Sequence, residues 1–219
     1  MLKFYYNRLS INARRVWVAL LEKEIAFETV FMPLDGEQFQ ADFLQLNPFH
    51  HVPVLVEEDG FAVIESLAIL DYLEASYPTP SLLPVDSRTI ATVRMAEMVT
   101  VNEFAPATFP LMLKEFGLEA ESPKLEQARQ KIATALQFFE QHLRHSHSFY
   151  VGNSLTLADI VVGTALPLLP RLNYSLQSYP AIDRWLAQLM QRPSWQQTEP
   201  TTEEIVAFQA KLQRLFRSA

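Results

Sequence analysis

The chain has 219 residues, of which 49% are hydrophobic and 20% charged, with a formal net charge of -7 and an isoelectric point near 5.3. Enough apolar material is present for one large or two small domains, while the acidic balance argues against a nucleic-acid surface and against docking on an anionic membrane. Cysteine is absent, which excludes disulfides, thiolate metal sites and a cysteine nucleophile.

The first element is a short run of strand formers, "LKFYY" (2–6), and "FETVF" (27–31) is a second. Between them a segment that begins just after Ser10 has helical rhythm, with Val16, Ala19 and Leu20 on its inner face. The order is β-α-β, and a crossover of that length makes the two strands parallel. "VPVLVE" (52–57) and "FAVI" (61–64) flank Glu58, Asp59 and Gly60, an Asp-Gly hairpin. The row of Leu67, Leu70 and Leu73 predicts a helix from Ser66 to about Tyr77, stopped by Pro78 and Pro80.

Beyond the linker "PTPSLLPVD", residues 87–116, 124–145, 156–172, 181–192 and 202–217 all carry helical period, and no strand is expected among them. The expectation is an α/β half of pattern β-α-β-β-α over 1–78, a linker over 79–86 and an all-α half over 87–219. Lys3 and Arg8 interrupt the first residues, so no signal peptide is expected. "IVVGTALPLLP" is too short to span a bilayer, and a cytoplasmic protein is the expectation.

Several positions admit both a structural and a chemical reading. Ser10 is placed to cap the helix after it, and no His-Asp base lies near it in sequence to make it a hydrolase nucleophile. Val52-Pro53 opens a strand, either as a trans proline at an edge or as a cis bond that turns the Val52 backbone towards an extended peptide. Ser66 reads as an N-cap. The same helix start also suits a carboxylate, and with Glu65 for an ammonium the pair fits the zwitterionic head of an amino acid.

"TLAD" (156–159) has the form of a capping box, with Asp159 in the place usual for Glu or Gln, and is read as structural. His142, His145 and His147 do not match a common metal-ligand spacing, so no metal is expected there. His50 and His51 precede Val52-Pro53 and are placed to face the same ligand. Phe109, Met112 and Phe116 make one helical stripe, core or pocket wall.

Taken in order, "SINARRV" (10–16), "LNPFHHVPVL" (46–55), "ESLAILDYL" (65–73) and "GNSLTLADI" (152–160) resemble the cytosolic glutathione transferase superfamily over nearly the whole chain. The resemblance implies a thioredoxin-like N-terminal domain that binds glutathione as co-substrate, a helical domain contributing the electrophile pocket, and a homodimer. It implies a backbone contact from Val52 before a cis Pro53, and Glu65 with Ser66 at the γ-glutamyl head. "S-x-x-x-R-R-V" is similar to the active-site turn of serine-type, theta- and phi-like members. That implies Ser10 at the glutathione sulfur, donating a hydrogen bond to the thiolate with Arg14 assisting.

Tyr6 is the rival for that task, because other classes use a tyrosine near the end of this strand. The His-Lys pair common in phi-like members is replaced by Gln38-Phe39. This leaves His51, helped by Gln38, for the glycine carboxylate. Ile11, Phe109, Met112 and Phe116 are the expected electrophile pocket. The function implied is detoxification-type conjugation of glutathione to small hydrophobic electrophiles. The alternatives are a glutathione-dependent lyase, dehalogenase or isomerase, or a non-catalytic binding or scaffold protein.

Overall fold

Alternation in the first strand, β1 (Leu2–Tyr6), buries Leu2 and Phe4 and leaves Lys3 exposed. The computed structural model in which this is seen describes residues 1–117, 121–145 and 148–217, and in the last helix all side chains but those of 212 and 214–217. The chain folds into two units, Met1–Leu83 with Pro193–Glu199, and Pro84–Arg192 with Pro200–Ala219.

In the first unit, the crossover helix α1 (Ile11–Glu22) returns the chain to β2 (Phe27–Phe31), which lies parallel to β1 as the crossover length requires. Next comes α2 (Ala41–Leu46), which the sequence pattern did not announce. Six residues with one buried side chain, Phe43, are too few to display a 3.6-residue period, so the observed order is β-α-β-α-β-β-α. The strands β3 (Val54–Val56) and β4 (Ala62–Ile64) follow as the expected hairpin, with Gly60 at φ 92° in its turn, and α3 (Ser66–Ser76) closes the unit.

The sheet order is β2-β1-β3-β4, with β3 antiparallel to both its neighbours. Successive residues of β1 face opposite layers: Phe4 meets Trp17 of α1, and Tyr5 meets Phe43 of α2. On the α2 side, Met32, Phe43, Val52, Val54 and Val56 form one buried cluster. The linker is tied down by Lys23, whose ammonium donates to Glu74 and to the Pro80 carbonyl, each at 2.8 Å. A cation this deeply buried is tolerated only with such partners.

The second unit begins with α4 (Ser87–Val99), capped by Asp86, whose carboxylate accepts the Thr89 N–H at 2.9 Å. One helix was expected over 87–116. The path is instead α4, a π turn at Thr100–Phe104, and α5 (Ala105–Glu115). Pro106 and Pro110 have no N–H to give, which disturbs the regular i to i−4 ladder near that turn. Then come α6 (Ser122–Arg144), α7 (Leu157–Ala165), α8 (Leu168–Arg171) and α9 (Pro180–Leu189). The expected single helix over 156–172 breaks at Pro167, which separates α7 from α8.

All nine residues of α7 are buried, and it packs on α4 and α9, as a helix without a polar face must. Its start is the capping box read from the sequence: the Asp159 carboxylate accepts the Thr156 N–H and hydroxyl, both at 2.8 Å. It also accepts the Tyr150 N–H at 2.6 Å and the Trp185 indole N–H at 2.8 Å. Burial pushes the Asp159 carboxyl up, and these four donors oppose the shift. Glu140 of α6 plays a related part, accepting the Ala181 and Ile182 N–H groups at the start of α9.

After α9 the chain forms α10 (Pro193–Thr198), a short helix with buried Trp195 that the sequence pattern also left unannounced, and its residues belong to the first unit. The last helix, α11 (Thr202–Arg217), belongs to the second, where Phe208 packs against Phe116. No helix among the described residues is long and apolar enough to cross a membrane.

Candidate active site

Strand register decides which loops meet. Tyr5 pairs with Val54, Val54 pairs with Ile64, and Tyr6 pairs with Phe31. The C-terminal ends of β1, β2 and β4 and the N-terminal end of β3 therefore share one end of the sheet. That end carries the turn to Ser10, the loop holding Gln38, the approach His51-Val52-Pro53, and Glu65-Ser66.

The turn before α1 is fixed by Asn7, which is buried. Its side-chain amide donates to the Met32 carbonyl at 2.8 Å, its side-chain oxygen accepts the Leu9 N–H, and its own carbonyl accepts the Ser10 N–H at 3.1 Å. Ser10 is the N-cap of α1, its hydroxyl oxygen accepting the Ala13 N–H at 3.2 Å. Half-buried, with its acceptor role used by the cap, it keeps its own O–H to donate. Ile11 is the half-buried first residue of the helix.

Tyr6 stacks on Phe4 and makes edge contacts with Trp17 and Phe31. Arg14 does not take the position expected of a direct aid to a thiolate. Its guanidinium is engaged by Glu199, by the Trp195 carbonyl and by the Thr198 hydroxyl, because α10 packs alongside α1.

The Val52-Pro53 bond is cis, the form that the family resemblance favoured over the commoner trans bond. The Val52 side chain joins the buried cluster under the sheet. Ahead of it, Asn47 donates to the His51 carbonyl at 2.9 Å, and the His51 side chain is exposed. The rings of Phe39, His50 and His51 follow one another in edge contact. Gln38 accepts the Gly36 N–H through its side-chain oxygen at 3.0 Å, which leaves its amide N–H groups to donate.

At α3 the cap expected at Ser66 lies one residue earlier. Glu65 is the N-cap, with φ 65° and no capping bond from its side chain, so Ser66 is the first helical residue. A positive φ is costly for glutamate, and the Glu65 side chain is exposed at the residue that precedes the first N–H groups of α3. The buried Ser66 hydroxyl accepts from Arg15, itself wholly buried, at 3.4 Å.

The aromatic stripe belongs to the second unit. Phe109 is 50% exposed and Met112 half-buried, while Phe116 is packed within that unit against Phe208, its carbonyl accepting from Gln213. His142 is bonded to the Phe138 carbonyl and stacked on Tyr150, His145 is the exposed C-cap of α6, and His147 lies outside the described residues. Among the described residues, no group of three or more His, Asp or Glu side chains is placed to hold a metal ion.

Asn7, Arg15 and Glu199 are the residues of this end that the sequence did not mark. Asparagine in a strand-to-helix turn is a general signal for Asn7. Nothing local points to the other two.

Comparison with known proteins gives a consistent picture. The family "Glutathione S-transferase, N-terminal domain" matches residues 9–76, and "Glutathione S-transferase, C-terminal domain" matches 99–193. A maleylacetoacetate isomerase of Rattus norvegicus is 33% identical over 190 residues, 85% of this chain and 86% of that protein. A glutathione S-transferase of Silene vulgaris is 31% identical over 215 residues, 90% of this chain and 96% of its own length. Among solved structures, maleylacetoacetate isomerase from Methylobacterium extorquens AM1, with bound malonate and glutathione, is similar with a TM-score of 0.77 and 32% identity. That likeness covers 90% of this chain and 96% of the other.

Proposed function

The chain belongs to the glutathione S-transferase family, and on that premise we propose that it is a glutathione-dependent cis–trans isomerase acting on a small activated alkene of the maleylacetoacetate type. The observation that carries this reading is the likeness, along most of the chain, to maleylacetoacetate isomerases, one of them seen with glutathione and a dicarboxylate bound. This is the isomerase alternative left open by the sequence motifs, and it has more support than general conjugation.

The first unit is assigned the glutathione. Val52 offers its backbone beside cis Pro53 to the cysteinyl residue. Glu65 takes the γ-glutamyl ammonium, while the Ser66 hydroxyl and the first N–H groups of α3 take the γ-glutamyl carboxylate. His51 and Gln38 are assigned the glycine end. In the serine-type reading, the Ser10 O–H donates to the sulfur. A free thiol with a pKa of about 8.5 must shift by about two units to be mostly ionised at neutral pH, which requires roughly 2.7 kcal/mol. One hydrogen bond to a charged acceptor contributes about 1.5–3 kcal/mol, and the N-terminus of α1 adds to it.

A maleyl group holds a cis double bond conjugated to carbonyl groups. The thiolate adds to one alkene carbon, and the π electrons pass to the carbonyl oxygen as an enolate. The former double bond is then single and rotates. Collapse of the enolate restores the alkene in the trans form and expels the thiolate. Glutathione is regenerated, so the chain needs no thiol of its own, in keeping with its lack of cysteine.

The test is to supply maleylacetoacetate with substoichiometric glutathione and follow both the trans product and the free-thiol titre. Many turnovers per glutathione with a constant titre are expected. Consumption of one glutathione per product would favour instead the conjugating reading, which the likeness to the Silene vulgaris transferase supports. For that reading, the half-buried Ile11 next to Ser10 remains a candidate for contact with a hydrophobic electrophile.

A further inference from the structure

Arg14 is 4% exposed, and one short segment of chain supplies several of its partners. Its Nη2 donates to the Trp195 carbonyl at 3.3 Å and pairs with the Glu199 carboxylate, and its Nε donates to the Thr198 hydroxyl at 3.4 Å. Arg8 reaches the same segment, donating to the Gln197 and Glu199 carbonyls at 3.0 and 3.1 Å. At the far end of α1, Glu22 accepts from the Ser194 hydroxyl. These pairings run α10 antiparallel along α1, from Glu22 beside Ser194 to Arg8 and Arg14 beside Glu199.

Ser10 lies between the two arginines. The Arg14 N–H donates to the Ser10 carbonyl at 2.9 Å, so the first hydrogen bond of α1 joins the cap to the residue that Glu199 holds. Arg8, two residues before Ser10, is held by the backbone of the same Glu199. The turn that aims the Ser10 hydroxyl is thus flanked by two arginines that both reach Glu199, far away in the chain, Arg14 through its carboxylate and Arg8 through its backbone carbonyl.

We propose that Glu199 is a positioning residue for Ser10, fixing the direction in which the O–H is presented to the glutathione sulfur. The proposal rests on the reading that Ser10 stabilises a bound thiolate. Its sign separates it from simple electrostatics. A carboxylate acting directly on a thiolate disfavours it, so neutralising Glu199 would then lower the thiol pKa. A positioning role requires the opposite, because a misaimed hydroxyl gives a weaker hydrogen bond.

The experiment is a pH titration of the thiolate ultraviolet absorbance of glutathione bound to the full-length protein, with steady-state kinetics at neutral pH. The variants are Glu199→Gln, Glu199→Asp, Ser10→Ala and the double Ser10→Ala/Glu199→Gln. In Glu199→Gln the thiol pKa should rise by about one unit and kcat fall about tenfold, with the KM for glutathione within about twofold. Glu199→Asp should recover most of the loss. In the Ser10→Ala background, Glu199→Gln should change nothing further, since its effect passes through the hydroxyl.

An unchanged or lowered pKa in Glu199→Gln, or an equal rise without Ser10, overturns the proposal. If Glu199→Gln does not fold, Thr198→Val removes another bond to Arg14 at similar volume and should give a smaller rise in the same direction; no rise overturns it equally. Wild-type protein whose bound glutathione stays protonated removes the thiolate reading and this proposal together. A wild-type thiolate unmoved by the Glu199 variant removes only the proposal.

Discussion

The starts of α7 and α1 use the same device and finish it differently. At α7, Thr156 and Asp159 are both buried, and the Asp159 carboxylate receives four donors from three residues. At α1, Ser10 is half-buried, and its oxygen receives a single N–H while its proton is left to give. The first cap has no capacity left and no access, so it can only hold structure. The second holds structure with one lone pair and keeps a donor for something else. Capping and chemistry are therefore not rival roles for Ser10. The bond that starts the helix also orients the hydroxyl.

The largest effect should fall on the saturated cap. Asp159→Ala strands the Tyr150, Thr156 and Trp185 N–H groups in the core and should cost about 4 kcal/mol in urea unfolding, with the affinity of the remaining folded protein for glutathione unchanged. A loss below about 1 kcal/mol would break the contrast. Ser10→Ala should divide the other way: about 1 kcal/mol of stability for the cap, but about 2 kcal/mol of thiolate stabilisation, read as a rise of 1–2 units in the pKa of bound glutathione.

Glu65→Gly adds a third helix start to the comparison and should move two readouts in opposite directions. Relief of the positive φ should raise the stability by about 1 kcal/mol, while loss of the carboxylate weakens glutathione binding about tenfold in calorimetry. Equal signs for the two changes would remove Glu65 from the binding assignment. The smallest effect belongs to the exposed cap of α4. The Thr89 side chain and N–H hold the Asp86 carboxyl below its ordinary 3.8. A lowered value means that the cap contributes above pH 3.8 and loses its contribution as pH falls through the folded value. Asp86→Asn should flatten that part of the stability–pH curve, measured by urea unfolding between pH 5 and 3.

The contrast between caps was partly legible in the sequence. The "TLAD" pattern carries the capping box within four residues, and Ser10 before a periodic run signals its helix. The strands, the parallel crossover and the Asp-Gly hairpin followed from alternation and turn residues. Elements of six residues, α2 and α10, lack the length to show a period, and prolines hidden within long periodic runs turned two expected helices into π-turned or broken ones. At the site, residue types were legible but geometry was not. Glu65 gave no sign of its positive φ, and the Arg14 side chain finds its partners on α10 because of the tertiary fold alone. Asp159 shows the same limit, since its bonds to Tyr150 and Trp185 lie outside the motif that announces it.

The return of Pro193–Glu199 to the first unit also bears on how the protein is made. Synthesis proceeds from the N-terminus, and Thr198 follows Arg14 by 184 residues. That interval lasts roughly 10–40 s at ordinary rates of translation. During it, the nascent α1 is without the segment that later covers Arg14 and pins the turn at Ser10. The first unit reaches its final form only after Pro193–Glu199 has left the ribosome, and a fragment cut after Leu83 is an incomplete version of it. The serine at position 10 is made long before the segment that sets it in place.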